Sequence, residues 1–146
     1  MIELYKASAG SGKTYTLTKT YIRLLISITD EGAAAPRLRE MPELADSAAH
    51  ILGVTFTNKA TNEMKTRIVA KLADLAYSDP DTPDDKVDYL VDFMTEFGAT
   101  RGKIAEICRE ALHQLLYEYS DFNISTIDTF FQNILRTFAI SSTPTS

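Results

Sequence analysis

The chain has 146 residues, 45% of them hydrophobic and 24% charged, which suits one globular domain able to bury a sizeable core. Its net charge of −5 excludes a general attraction to nucleic acid, so any such contact must come from a local surface. A single cysteine excludes an internal disulfide. No apolar run approaches the ~18 residues of a membrane span, and the N-terminus lacks the basic and apolar segments of a signal peptide, so a cytoplasmic chain with no membrane partner is expected.

In chain order, "IELYKA" reads as a short strand leading into "ASAGSGKT", Ala7 to Thr14. Gly10 and Gly12 allow backbone angles that a Cβ forbids, so successive N–H groups can turn inward onto an anion. Lys13 brings a cation to the β- and γ-phosphates, and the Thr14 hydroxyl can ligate Mg²⁺. The common form of this phosphate loop opens on glycine, whereas this chain has Ala7, a residue still small enough for a tight turn. Leu17, Tyr21, Leu24, Leu25 and Ile28 then recur at helical spacing, which completes the strand, loop and helix that the motif requires.

Residues 30–49 carry two prolines, a glycine and mixed charges, and read as a surface connection. "ILGVTF", Ile51 to Phe56, reads as a second strand, followed by a helix capped by Thr57 or Asn58 with Met64, Ile68, Leu72 and Leu75 on one face. After the loop "YSDPDTPDD", Val87, Leu90, Val91, Met94 and Phe97 mark a helix ending near Gly98. Ile104, Ile107, Cys108, Ala111, Leu112, Leu115 and Tyr119 mark the next, with Cys108 as a buried thiol. Residues 84–119 thus form a helical insertion. "FNISTI" is a candidate strand, and the closing helix "DTFFQNILRTFA" is expected to turn Phe130, Phe131, Ile134, Leu135 and Phe138 inward.

Strands alternating with helices imply an α/β fold with a parallel sheet flanked by helices. Ligands in such sheets sit at the carboxyl ends of strands, and "ASAGSGKT", "TFTNKAT" and "STIDTFF" are three polar, threonine-rich segments at such ends. One nucleotide does not need all three, so a second ligand is expected. Hydroxyls, amides and helix N-termini are common phosphate partners, and an exposed aromatic at a strand end can stack on a base. Phe56 can equally be read as a core strand residue. Lys65, Arg67 and Lys71 read as a solvated helix face, and Tyr5 and Tyr15 lie near the loop in sequence.

"ASAGSGKT", "GVTFTNKATNEMKTRI" and "STIDTFFQNILR" together resemble motifs I, Ia and Ib of the UvrD/Rep-type superfamily 1 DNA helicases. Only six residues precede Ala7, so the upstream glutamine of many UvrD-like proteins has no counterpart, and the opening is more similar to the RecB/AddA helicase-nuclease branch. The resemblance implies a P-loop NTPase, with 1–146 as a single partial RecA-like domain of a longer, ATP- and Mg²⁺-dependent helicase of DNA repair or recombination. It implies that Ala9, Gly10, Ser11, Gly12, Lys13 and Thr14 hold the nucleotide, with Lys13 and Thr14 catalytic. It also implies that Phe56, Thr57, Asn58, Lys59, Ser125 and Thr126 touch single-stranded DNA, and it leaves room for a helicase-nuclease partner subunit. Asp128 stands where the family has histidine, and an anion there opposes a phosphate contact.

No apolar strand in the sequence ends in Asp-Glu, and no arginine finger can be assigned, so this portion alone is expected to bind ATP without hydrolysing it. Two other classes fit the loop: a small P-loop phosphotransferase such as a nucleoside kinase, and a non-catalytic nucleotide-dependent interaction module using 84–119 as its surface.

Overall fold

A computed structural model describes the backbone of residues 2–4, 12–119 and 122–142, and the side chains of 12–119 and 122–139. The elements are strand β1 (Ile2–Leu4), helix α1 (Gly12–Ile26), strands β2 (Ser27–Ile28), β3 (Arg37–Leu38) and β4 (Leu52–Thr55), helices α2 (Asn58–Tyr77), α3 (Leu90–Phe97) and α4 (Arg101–Tyr117), strand β5 (Ile124–Thr126) and helix α5 (Ile127–Ser142).

The fold is α/β. Three strands form a parallel sheet in the order β1-β4-β5, with Leu4 opposite Val54 and Thr55 opposite Thr126. The central strand carries Gly53 because β5 lies close. A Cβ at that position would meet Ile124 Cγ1 at 3.1 Å, tighter than ordinary packing.

The core lies mostly among the helices. Helix α2 turns Met64, Ile68, Leu72 and Leu75 inward at helical spacing, as the periodicity anticipates. It packs against both α1, through Tyr21, Ile22, Leu25 and Ile26, and α4, through Ile104, Ile107, Cys108, Ala111, Leu112 and Leu115. Burial pushes the Cys108 thiol up to about 12, so it stays a protonated core group.

Several local expectations need correction. Ile28 is not on the first helix, which ends at Ile26. The Ser27 hydroxyl donates to the Arg23 carbonyl at 2.5 Å, and Ser27 and Ile28 then pair antiparallel with Leu38 and Arg37. Within 30–49, two short 3₁₀ turns, Met41–Leu44 and Ser47–His50, send Leu44 fully into the core. In α3 Leu90 and Phe93 are buried and Met94 and Phe97 pack against the core as expected, while Val91 is 45% exposed. Tyr119 lies beyond the end of α4 and is half exposed.

The largest departure is α5. Phe131, Leu135 and Phe138 are 53%, 66% and 67% exposed, although periodicity places them on an inward face. The helix packs against β4 and β5, and its Phe131, Leu135 and Phe138 side chains are left more than half exposed.

Candidate functional site

The three parallel strands run the same way, so their carboxyl ends at Leu4, Thr55 and Thr126 share one edge of the sheet. From that edge the chain enters the loop before α1, the first turn of α2 and the first turn of α5. Residues 5–11 lie outside the described residues, and with them Tyr5, Ala9, Gly10 and Ser11. Gly12 and Lys13 are exposed at the start of α1, while Thr14 is 7% exposed and faces inward. The first turn of α1 holds no acidic residue of its own, and the positive end of a helix dipole favours an anion. An exposed cation, a following hydroxyl residue and a helix start without an acid suit the phosphates and metal of Mg-ATP.

At the end of β4, Phe56, Thr57, Asn58 and Lys59 are all exposed, with Phe56 at 47%. Phe56 is therefore not a core residue. Thr57, and not Asn58, caps α2: its hydroxyl accepts from the Ala60 N–H at 3.0 Å. At the end of β5, the Thr126 hydroxyl accepts from the Thr129 N–H at 3.2 Å and donates to the Thr129 hydroxyl at 2.9 Å. Asp128 sits exposed in the first turn of α5, where it favours the helix start and disfavours an anion.

A buried hydroxyl pair ties these two segments together. Thr55 Oγ1 lies 2.5 Å from Thr61 Oγ1, and within reach of the Thr57 carbonyl (3.2 Å) and the Ser125 carbonyl (3.3 Å). The Thr61 hydroxyl also reaches the Thr57 carbonyl at 3.2 Å. Phe56–Lys59 and Ser125–Thr126 are thus brought side by side on one hydrogen-bonded support.

The basic residues of α2 divide. Lys65 lies over the rings of Tyr119 and Phe122, at 5.3 and 5.5 Å from their centroids. Lys71 pairs with Asp88 at 2.6 Å. Arg67 lines an open groove along α2 with Asn62, Glu63, Thr66 and Ala70.

Sequence reasoning missed the contacts between α1 and residues 88–96. Tyr89 Oη donates to the Tyr15 carbonyl at 2.8 Å, and the two rings pack at a tilt of 49° with centroids 4.7 Å apart. Tyr15 Oη donates to Asp88 at 3.3 Å. Further along, Lys19 meets Asp92 at 2.6 Å and Arg23 meets Glu96 at 2.5 Å. Asp92 is thus an exposed helical ion-pair partner. Burial, with Tyr15 and Asp88 beside it, pushes the Tyr89 hydroxyl up to about 12. Tyr89 has φ 74°, a left-handed conformation that costs a bulky residue about 1–3 kcal/mol. The one visible trace of this contact in the sequence is the spacing of four in Asp88, Asp92 and Glu96, matched by Lys19 and Arg23.

Comparison with known families adds the deciding observation. The UvrD/REP helicase N-terminal domain model matches residues 4–143. The chain belongs to the UvrD/REP helicase N-terminal domain family. This UvrD/REP-type domain is similar to the RecBCD enzyme subunit RecB of Haemophilus influenzae, 28% identical over 97% of this chain and 11% of that protein. The same RecB protein of Buchnera aphidicola subsp. Acyrthosiphon pisum is 33% identical over 92% of this chain and 10% of its own length. An ATP-dependent helicase/nuclease protein of Lactobacillus gasseri is 27% identical over 92% of this chain and 8% of its own. The chain thus spans about a tenth of the length of these relatives. No solved structure matches. No described helix of the UvrD/REP-type domain is long and apolar enough to cross a membrane.

Proposed function

We propose that the chain is the ATP-binding N-terminal part of the first RecA-like domain of an ATP-dependent DNA helicase-nuclease that translocates on single-stranded DNA. The observation that carries this reading is the family match across 4–143, which takes in all three strand ends. In this reading the amides of Ala9 to Gly12 cradle the triphosphate, Lys13 balances its charge and the Thr14 hydroxyl holds Mg²⁺. ATP supplies the anhydride bond to be broken; the chain's own residues bind and orient it. Phe56 stacks on a base, and Thr57, Asn58, Lys59, Ser125 and Thr126 contact the DNA backbone. The relatives are named as subunits, which supports a partner subunit here, and a role in DNA repair or recombination is part of the same proposal.

Phosphoryl transfer needs a metal-holding carboxylate, a positioned water and an arginine across the cleft. Among the described residues no strand of the parallel sheet ends in Asp-Glu for the first two roles. Residues 1–146 are therefore expected to bind Mg-ATP weakly and to hydrolyse it at background, with or without single-stranded DNA. The test is a titration of Mg-ATP into this chain and into Lys13→Ala, with phosphate release measured alongside. Equal affinity in both removes Lys13 from the site, and turnover abolished by Lys13→Ala means that a complete ATPase site exists here. In a parallel titration, Phe56→Ala and Lys59→Ala weaken binding of a single-stranded oligonucleotide. The affinity should fall with salt by about 0.7 in log–log slope per phosphate neutralised.

A further inference from the structure

The helix that carries Lys13 and Thr14 does not stand alone. Tyr89 Oη, delivered from the insertion, donates to the Tyr15 carbonyl at 2.8 Å, next to Thr14 in the first turn. The Thr18 hydroxyl donates to the Thr14 carbonyl at 2.8 Å. Two successive first-turn carbonyls therefore receive a hydroxyl. The Tyr15 ring packs against Tyr89 at a tilt of 49°, with its own hydroxyl on Asp88, which is anchored to α2 through Lys71. Lys19–Asp92 and Arg23–Glu96 continue the strap at a spacing of four along both helices.

Tyr89 holds this place in a left-handed conformation that bulky side chains rarely adopt, and it is 3% exposed. Such outliers persist only where the surroundings over-determine them, and they gather at functional sites.

We propose that Tyr89 is a positioning residue for the phosphate-binding turn: from the insertion, it fixes the rotation of the first turn of α1, and so the direction in which Lys13 and Thr14 project. This rests on the assignment of Lys13 and Thr14 to a nucleotide. It makes the insertion part of the ATP site without touching ATP. A charge-cradling site works only when its supporting contacts hold it to a fraction of an ångström.

The test uses the whole chain, with Mg-ATP and AMP as probes in calorimetric titrations and urea unfolding alongside. Tyr89→Phe keeps the ring and removes the one hydroxyl. It is expected to weaken Mg-ATP about three- to tenfold, the equivalent of one hydrogen bond. AMP, which lacks the β- and γ-phosphates, should be unaffected. A merely structural role would lower the urea midpoint and leave the ATP-over-AMP preference intact. Asp88→Asn loosens the same strap from the surface and is expected to act in the same direction, by about twofold. Its result decides the matter where Tyr89→Phe does not fold.

Weakening by Lys13→Ala with folded Tyr89→Phe unchanged overturns the positioning role alone. So does an unchanged Asp88→Asn beside an unfolded Tyr89→Phe. Mg-ATP affinity indifferent to Lys13→Ala overturns the nucleotide assignment, and the positioning role with it.

Discussion

Thr55 is the place where one hydroxyl holds the candidate DNA-contacting edge together. Its side chain is 1% exposed and lies 2.5 Å from Thr61 Oγ1, with the Thr57 and Ser125 carbonyls near enough to accept. Two hydroxyl protons serve three acceptors, so every arrangement uses Thr55. Thr55→Val keeps the branched shape and removes the oxygen. The Thr61 hydroxyl keeps the Thr57 carbonyl, and the Ser125 carbonyl loses its side-chain donor. The backbone ladder still serves that carbonyl, so the cost is that of the buried hydroxyl's own hydrogen bonds, about 1–2 kcal/mol. In a domain of this size that lowers the melting temperature by about 2–8 °C. The assay is thermal unfolding of Thr55→Val, Thr61→Val and the double variant. Because the two hydroxyls are in direct contact, the double variant should cost less than the sum of the singles, by about 1 kcal/mol. A strictly additive cycle would refute the direct pairing. Thr55→Val with an unchanged midpoint would refute the claim that this hydroxyl supports the edge.

Three further outcomes follow from the structure. Leu135→Ser should leave stability within about 0.5 kcal/mol of the parent, because the side chain is already 66% exposed; a large loss in urea unfolding would restore the inward placement. Glu43 is held by hydrogen bonds from Arg37 and the Glu40 N–H, which lower its carboxyl to about 2. A depressed carboxylate adds stability that is present above its ordinary range and is lost as pH falls toward about 2. NMR titration should find that midpoint in the parent and a higher one in Arg37→Ala. Cys108 should resist an aromatic disulfide reagent at pH 8 in the folded chain and react once urea is added, since burial pushes its thiol up to about 12.

Much of this molecule is written locally. The apolar spacing of Met64, Ile68, Leu72 and Leu75 specifies the buried face of α2, since one stripe every 3.6 residues can meet only one neighbour. Thr57 and Thr100 start helices because their hydroxyls accept from N–H groups three residues on. The same local chemistry marks "ASAGSGKT" and the polar strand ends as a candidate site. Periodicity, however, says which residues share a face and not what lies opposite. It cannot tell that the apolar side of α5 faces solvent here while that of α4 is covered by α2. It cannot tell that Leu44, in a stretch rich in proline and charge, reaches the core. Only the tertiary structure sets Asp88, Tyr89, Asp92 and Glu96 beside Tyr15, Lys19 and Arg23, 73 or 74 residues away for each pair. It does so because the insertion folds back along α1, a choice made by the packing of α1, α2, α3 and α4 around one core and not by any local pattern.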